Sequence, residues 1–161
     1  MKTKLLLLPI LILILSCEMQ NRLGDFKLLP QPQEWEITGN SLLDATQLKT
    51  YFNSSGVDLP SGSDFLKQAT ATKNEGEAQL VYSIDETLDI KAEGYILEIT
   101  NQQVEITAKD QAGLIYGLAT LEQLMEDAEE QSVPLPLCQI KDYPLLSYRA
   151  IHWDVKHHRE T

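Results

Sequence analysis

Cysteine is scarce in this sequence. The 161 residues contain only two cysteines, Cys17 and Cys138, which lie far apart in the chain. Two such residues cannot form the framework of several disulfide bridges that holds small secreted scaffolds together. The fold must therefore depend on a hydrophobic core, and we expect Cys138 to be a free, buried thiol.

Positive charge is also in short supply. The chain has 13 lysine and arginine residues against 24 aspartate and glutamate residues, which gives a formal net charge of -11 at pH 7. This balance disfavours nucleic acid as a partner, because nucleic-acid binding needs clustered basic residues. Hydrophobic residues make up 43% of the chain, which is too many for a disordered protein. We expect one ordinary domain, with a core of its own.

Long apolar runs are absent except at the start of the chain, where one run extends from Leu5 to Leu15. It has about 11 residues, roughly half of the ~20 that are needed to cross a bilayer. Two lysines precede this run, and Ser16 leads directly to Cys17, as in a secretory signal that ends at a lipidated cysteine. The alternative is an ordinary signal peptide followed by a chance cysteine.

The start of the chain therefore predicts a lipoprotein signal peptide over 1–16, lipidation of Cys17 and a polar tether over 17–25. No second apolar run of this kind occurs later in the sequence. We expect the protein to be exported and lipid-anchored to the bacterial cell envelope, in the periplasm or at the outer membrane. Its contact with the membrane would then run through the lipid alone.

Alternating apolar residues predict several strands. The segment EWEITGN has Trp35 and Ile37 on one face of a half-buried strand, and AQLVYSI is typical of a buried strand. The clearest pattern is GYILEITNQQVEITA, in which two alternating runs flank a turn at Asn101-Gln102 and predict a β-hairpin. The segment SLLDATQLKTYF fits either a short helix or a strand.

A long helix is predicted after Asp110, which is a typical N-cap residue. An apolar stripe at helical spacing then consists of Leu114, Leu118, Leu121 and Met125. Gly113 and Gly117 each cost a helix about 1 kcal/mol relative to alanine, so we expect them to pack closely against a sheet. A shorter helix is predicted after Ser63. The proline-rich segment SVPLPLCQIKDYPLL is interpreted as an extended connector that leaves the domain, with the boundary near Ile140.

The sequence contains no complete active site. It has no GxSxG, no P-loop and no glycine-rich dinucleotide fingerprint. All three histidines, His152, His157 and His158, lie within seven residues, but their spacing does not match a zinc motif, so neither a metal site nor a cofactor is predicted. The carboxylate pair Asp85-Glu86 comes after a predicted strand and is interpreted as a solvated turn rather than a catalytic pair.

Arg149 is the one residue that suggests ligand binding. It comes directly after Tyr148 and precedes a short apolar segment, and a planar guanidinium there could hold the hydroxyl groups of a ligand. The alternative is a surface arginine that pairs with an acidic neighbour such as Asp142 or Asp154. The residues alone favour this alternative.

Three segments in order resemble glycoside hydrolase family 20, the β-N-acetylhexosaminidases. They are LLPQPQEWEIT near the start, EGYILEIT with VEITAKDQAGLIYGLATLEQL in the middle, and IKDYPLLSYRAIHWDVKHH at the end. The resemblance covers about residues 28–161, is weak between roughly 40 and 90, and is most specific in YGLATLEQL and in the DYP-to-YR stretch. Families 84 and 67 can carry a similar N-terminal domain, and HWDVKHH favours family 20.

The resemblance implies an α+β fold over 26–140, a small sheet backed by helices that is called zincin-like for its shape and implies no zinc. It also implies that 141–161 form a connector and the truncated start of a (β/α)8 barrel, with its first strand over Tyr148–Val155. Arg149 would then bind hydroxyl groups of a terminal N-acetylhexosamine, so that glycans ending in this sugar are the expected partners.

The family's reaction is a retaining hydrolysis in which the sugar's own 2-acetamido oxygen attacks the anomeric carbon. One carboxylate orients that amide and a neighbouring glutamic acid protonates the leaving oxygen. This Asp-Glu pair lies far downstream in family members, so the resemblance implies no catalytic residue in this chain and no activity of the chain alone. The family's usual glycine after the arginine is Ala150 here, Trp153 replaces a common aliphatic residue, and KHH stands where an Arg-His-aromatic run is frequent. These departures leave the subgroup and the exact substrate open.

Two hypotheses are compatible with these features. The chain is either the front part of an exported β-N-acetylhexosaminidase, or a stand-alone lipoprotein whose small domain serves as a binding or docking module without catalytic activity. The incomplete strand pattern at the end of the sequence favours the first hypothesis, and the acidic composition without an active site favours the second.

Overall fold

The computed structural model describes residues 23–56 and 67–150. This part of the chain contains seven strands and one long helix, α1 (Gln111–Gln131). Two single-turn 3-10 helices span Ala45–Gln47 and Glu75–Glu77. The strands are β1 (Glu34–Asn40), β2 (Thr50–Asn53), β3 (Thr70–Ala71), β4 (Leu80–Ile84), β5 (Tyr95–Ile99), β6 (Val104–Ala108) and β7 (Pro136–Asp142).

The strands form one mixed sheet in the order β1-β7-β5-β6-β4-β2-β3. Strand β7 pairs antiparallel with β1 and β5, and β5 pairs antiparallel with β6. The remaining pairs, β6 with β4, β4 with β2 and β2 with β3, are parallel. Helix α1 packs against β4, β5 and β6. The architecture confirms the predicted α+β class and small sheet, although in the described residues a single long helix backs it. The helix predicted after Ser63 falls largely on residues outside this part of the chain.

The core lies between α1 and one face of the sheet. On that face the inward side chains of β5, β6 and β7 alternate with outward ones, as the period of two in a strand requires, whereas β4 is buried on both faces at Leu80, Val81 and Tyr82. Helix α1 covers them with its own buried leucines. The core residues that are fully shielded from solvent are Leu80, Leu97, Val104, Ile106, Ala108, Leu114, Leu121, Leu124, Ala128, Leu135 and Ile140.

The predicted β-hairpin is confirmed. Strands β5 and β6 pair antiparallel, with Leu97 opposite Ile106 and Ile99 opposite Val104. At the turn, the hydroxyl oxygen of Thr100 accepts hydrogen bonds from the backbone N–H groups of Gln102 and Gln103, at 3.2 and 3.1 Å. The turn geometry and the apolar face of the hairpin together set this register.

The helix prediction is confirmed in position and in its cap. Asp110 precedes the first turn in an extended conformation, and its side chain accepts a hydrogen bond from the N–H of Gly113 at 2.9 Å. At the other end Ser132 adopts the left-handed conformation and its N–H bonds back to the last turn. Leu124 is fully buried, whereas Met125 is only half-buried. The last residue of the buried stripe is therefore Leu124 rather than the predicted Met125.

The two glycines of the helix pack against the hairpin as predicted. A Cβ atom on Gly113 would lie 2.3 Å from the carbonyl oxygen of Gly94, and one on Gly117 would lie 2.8 Å from Cγ2 of Ile106. No side chain fits in either gap. The conformational cost of glycine in a helix is therefore offset by an approach of helix to sheet that no other residue permits.

The proline-rich segment after the helix corrects the sequence interpretation. Residues Pro136–Asp142 do not leave the domain as a connector, because they form β7, which lies between β1 and β5 inside the sheet. Proline lacks an N–H donor, and within sheets it is confined to edge strands, bulges and the first residue of a strand. Pro136 is the first residue of β7. Ile140, where the sequence places the boundary, is fully buried, and the strand continues to Asp142.

Cys138 lies in β7 and is a free, buried thiol, as predicted. Burial raises the pKa of this thiol to about 12, so it stays protonated at neutral pH.

Residues 148–150 are not in a strand. The rest of the predicted barrel strand, 151–155, lies outside the described residues, as do the signal peptide and Cys17. Among the helices that the structure does describe, none has the length and apolar character needed to span a bilayer.

Gly113→Ala is expected to destabilise the domain, because the new methyl group would meet the backbone carbonyl of Gly94, which cannot rotate away. Overpacking of this kind costs about 1–3 kcal/mol, and the better helix propensity of alanine offsets at most about 1 kcal/mol. Urea unfolding monitored by circular dichroism measures the difference. Gly76→Ala is the control, since nothing lies within 4 Å of the Cβ it would add. Equal stability of the two variants would contradict the close packing.

A second prediction concerns the buried hydroxyl of Tyr95, which lies 2.6 Å from the hydroxyl of Thr120 on α1. Thr120→Val keeps the shape of the side chain but leaves the phenol without this partner, at a cost of about 1–3 kcal/mol. Thr120→Ser retains the hydroxyl and is expected to lose less. The melting temperatures of the two variants are compared by thermal unfolding. A higher melting temperature for Thr120→Val than for Thr120→Ser would contradict a stabilising hydrogen bond between Tyr95 and Thr120.

Candidate functional site

The sequence-predicted ligand residue, Arg149, borders a groove of about 550 Å³ on the surface of the domain. Its floor is the pair Tyr95 and Thr120, and its walls come from the first half of α1, from Leu29 and Pro30, and from residues 142–149. We call this cavity the exit groove, because the last described residues of the chain run along it. It is the place where the predicted site residue meets the folded domain.

Arg149 is held by three contacts. One terminal nitrogen, Nη2, pairs with the carboxylate of Glu93, and the other, Nη1, donates to the carbonyl of Leu146 at 3.1 Å. The hydroxyl of Tyr116 accepts a further hydrogen bond from Nη2 at 3.4 Å. The hydrogen bond to the Glu93 carboxylate raises the pKa of Arg149, so the guanidinium remains charged at any working pH.

These contacts correct the expected partner of Arg149. The sequence suggests Asp142 or Asp154 as its ion-pair partner, whereas the structure pairs it with Glu93, 56 residues away. Asp154 lies outside the described residues, and Asp142 instead accepts a hydrogen bond from the backbone of Gln33 at 3.1 Å. The arginine side chain nevertheless stays 44% exposed at the edge of the groove. Ion pairing and access to a ligand are therefore both compatible with this position.

Glu93 is the residue that sequence reasoning missed. Its backbone is left-handed, with φ of 63°, which is uncommon for a residue other than glycine. Its N–H donates to the second carboxylate oxygen of Asp110 at 2.7 Å, while the first oxygen of Asp110 caps α1. A single aspartate thus fixes both the start of the helix and the residue that holds Arg149. No local pattern around Glu93 marks this role.

The other sequence candidates do not join this site. Asp85 accepts hydrogen bonds from the N–H and hydroxyl of Thr87, at 2.8 and 2.6 Å, and these bonds lower the pKa of Asp85. Glu86 is exposed in the same turn. The prediction of a solvated turn is confirmed.

Within residues 23–56 and 67–150 no cluster of three histidine, cysteine, aspartate or glutamate side chains could hold a metal ion. His152, His157, His158 and Cys17 lie outside those residues. The described part of the chain thus offers the exit groove and Arg149 as its candidate site, and the exposed guanidinium beside the groove suits the binding of a polar ligand.

Comparison with known proteins places the domain in a family. A family model described as glycosyl hydrolase family 20, domain 2, matches residues 25–143. A β-hexosaminidase of Porphyromonas gingivalis is 30% identical over 122 residues, which cover 72% of this chain and 16% of the relative. The chain thus spans about a sixth of the length of this curated relative.

Two solved structures share the fold. The β-N-acetylhexosaminidase of Bacteroides fragilis superposes with a TM-score of 0.59 at 24% identity, over 75% of this chain and 25% of that one. A chitobiase of Flavobacterium johnsoniae has a TM-score of 0.60 at 23% identity, over 81% of this chain and 23% of its own. Since the family model covers most of the described residues, the chain belongs to glycoside hydrolase family 20 and carries the domain that is called its domain 2.

Proposed function

We propose that this chain is the N-terminal part of an exported β-N-acetylhexosaminidase-like hydrolase that removes terminal N-acetylhexosamine from glycans. The observation that carries the proposal is the match of residues 25–143 to domain 2 of family 20. Its relatives named as hexosaminidases are several times longer than the region they share with this chain. The chemistry is then assigned to a part of the enzyme that this chain does not contain.

The proposed reaction needs no covalent bond to the protein. The acetamido oxygen of the bound sugar attacks its own anomeric carbon while a glutamic acid gives its proton to the leaving oxygen. Water then opens the cyclic intermediate, and the configuration at the anomeric carbon is retained. Asp85, of the adjacent carboxylates Asp85 and Glu86, accepts a hydrogen bond from Thr87 in a turn, and this pair is not proposed to supply these groups.

Arg149 is proposed to bind hydroxyl groups of the terminal sugar. A guanidinium has five N–H donors in a planar fork, and the contacts with Glu93, Tyr116 and Leu146 leave donors available. The same contacts restrict the rotation of the side chain, so less conformational entropy is lost when a sugar binds. Aromatic rings of Tyr116 and Tyr143 line the adjacent groove.

Activity measurements test this proposal. The whole protein, read from the gene beyond the codon of Thr161, should release nitrophenol from a nitrophenyl N-acetylglucosaminide, while the 161-residue chain alone should not. In the whole protein, Arg149→Ala should lower kcat/KM by about 10- to 100-fold, because charge-assisted hydrogen bonds are worth about 1.5–3 kcal/mol. Arg149→Lys keeps the charge without the fork and should recover only part of the loss. Turnover by the 161-residue chain would overturn the assignment.

Export and lipidation are a separate part of the proposal. They rest on the apolar run before Cys17 and on Ser16 beside it. When the gene is expressed in a bacterium supplied with an alkyne-tagged fatty acid, the protein should carry the tag and sediment with membranes. Cys17→Ser should abolish the label, and Cys138→Ser should leave it unchanged. Labelling that persists in Cys17→Ser would contradict the assignment of the anchor.

A second function, that of a stand-alone binding or docking module, is favoured by one observation. The described residues hold a groove that is already formed without a bound ligand. The nucleotide sequence after the codon of Thr161 separates the two functions. An open frame that encodes an Asp-Glu pair on alternating strands and helices supports the enzyme, whereas a stop codon at that point supports the module.

A further inference from the structure

The chain enters the domain along helix α1. Residues 25–29 run beside the helix in the opposite direction, with Phe26 and Leu28 buried between exposed neighbours. We call this segment the strap. Its side chains alternate as in a strand, yet it belongs to no strand of the sheet. Its backbone therefore needs hydrogen-bond partners from elsewhere in the domain.

Side chains of the helix take the place of a neighbouring strand. Three backbone N–H groups of the strap donate to side-chain oxygens of α1, at 2.7, 2.7 and 2.9 Å. The pairs are Asp25 with Gln131, Lys27 with Asp127 and Leu29 with Gln123. Alternate residues of an extended chain are about 6.6 Å apart and every fourth residue of a helix about 6 Å, so the two sets stay in step. Gln131 also donates to the carbonyl of Asp25 at 3.0 Å, which fixes the first strap residue at the last turn of the helix.

The strap begins at one end of the domain. This end, which we call the anchor end, consists of residues 23–25, 41–44 and 131–135. Gly24 packs against the segment after α1, since a Cβ atom on it would lie 2.9 Å from Cγ2 of Val133. The N–H of Ser41 donates to the carbonyl of Leu135 at 2.8 Å, and the N–H of Leu135 donates to the carbonyl of Leu43 at 2.9 Å. Three separate parts of the chain are thus held together there.

The polypeptide leaves the sheet at the opposite end. Strand β7 starts beside the anchor end at Pro136 and finishes at Asp142, and its seven residues span about 20 Å. Helix α1 runs between the same two ends, so its first half and the exit groove lie far from the first residue of the strap. The start of the strap and the exit from the sheet are therefore separated by the length of the domain.

The anchor end and the flank of the helix differ in their chemistry. Leu42 and Leu23 are 83% and 46% exposed at the anchor end. Apolar side chains gain free energy when they enter the boundary between lipid headgroups and acyl chains. The outward face of the second half of α1 instead carries the exposed carboxylates of Glu126 and Glu129, which anionic headgroups repel. The anchor end is thus the better surface for contact with a membrane.

We propose that the anchor end faces the membrane, so that Leu42 contacts lipid headgroups and the exit groove points away from the bilayer. This inference rests on the proposed lipidation of Cys17. Cys17 and Leu23 are six positions apart, so a fully extended tether reaches at most about 22 Å. The strap keeps this attachment at the anchor end, because two buried side chains and its bonds to α1 oppose its release from the helix. The domain then holds whatever follows Asp142 at a distance from the headgroups.

The test measures the distance of two positions from the lipid in the whole protein, lipidated at Cys17. Cys138 and any cysteine further along are replaced by serine, and one new cysteine carries a fluorophore. Leu42→Cys reports on the anchor end. Glu86→Cys is the matched control, because Glu86 is also exposed but lies in the turn after β4, at the opposite end of the sheet. The vesicles consist of phosphatidylethanolamine and phosphatidylglycerol, with a nitroxide quencher on a fraction of the headgroups.

The fluorophore at position 42 should be quenched several-fold more than the one at position 86. In protein that also carries Cys17→Ser, neither should be quenched, because the tether is then missing. Equal quenching of the two positions in lipidated protein, or stronger quenching at position 86, would overturn the orientation and leave the lipidation intact. A protein that mass spectrometry finds without lipid would refute the proposed lipidation, and the orientation with it. Hexosaminidase activity, measured on the same samples, tests the enzymatic proposal independently of both.

Discussion

The contact between helix α1 and the start of strand β5 is the constraint on which the rest of the structure depends. It exists because Gly113 and Gly117 have no side chains, so that the helix backbone lies directly on Gly94, Tyr95 and Ile106. At this distance the leucines of the helix reach the inward faces of three strands at once. A larger residue at either glycine would lift the helix and open the core at its centre.

The same contact places the candidate site. Because the helix begins against Gly94, its cap Asp110 reaches the N–H of Glu93 with one oxygen and the first turn with the other. Glu93 is thereby held in the left-handed conformation from which its carboxylate meets Arg149. The side chain that is proposed to bind sugar is thus positioned by helix packing rather than by its own neighbours in the sequence.

The difference between local patterns and long-range contacts explains which features could be predicted from the sequence. The hairpin, the helix with its cap and the packing of its glycines all depend on patterns within about twenty residues, where periodicity and capping rules apply. Strand β7 was missed because the prolines around it resemble a connector, and only the antiparallel neighbours β1 and β5 reveal its place. The pairing of Arg149 with Glu93 was missed for the same reason, since no local rule selects a partner 56 residues away when Asp142 is nearby.

A fold of this kind does not specify an activity, and function must be argued from sites. In this domain the buried hydroxyls of Tyr95 and Thr120 bond to each other, and Glu93 and Arg149 lie beside the groove where the chain leaves the sheet after Asp142. The burial of β7 between two strands makes that exit rigid, because Ile140 and Cys138 are fixed in the core. A rigid exit fixes the direction in which the polypeptide continues beyond the sheet. In the proposed enzyme, the burial of β7 fixes the point from which the polypeptide leaves this domain.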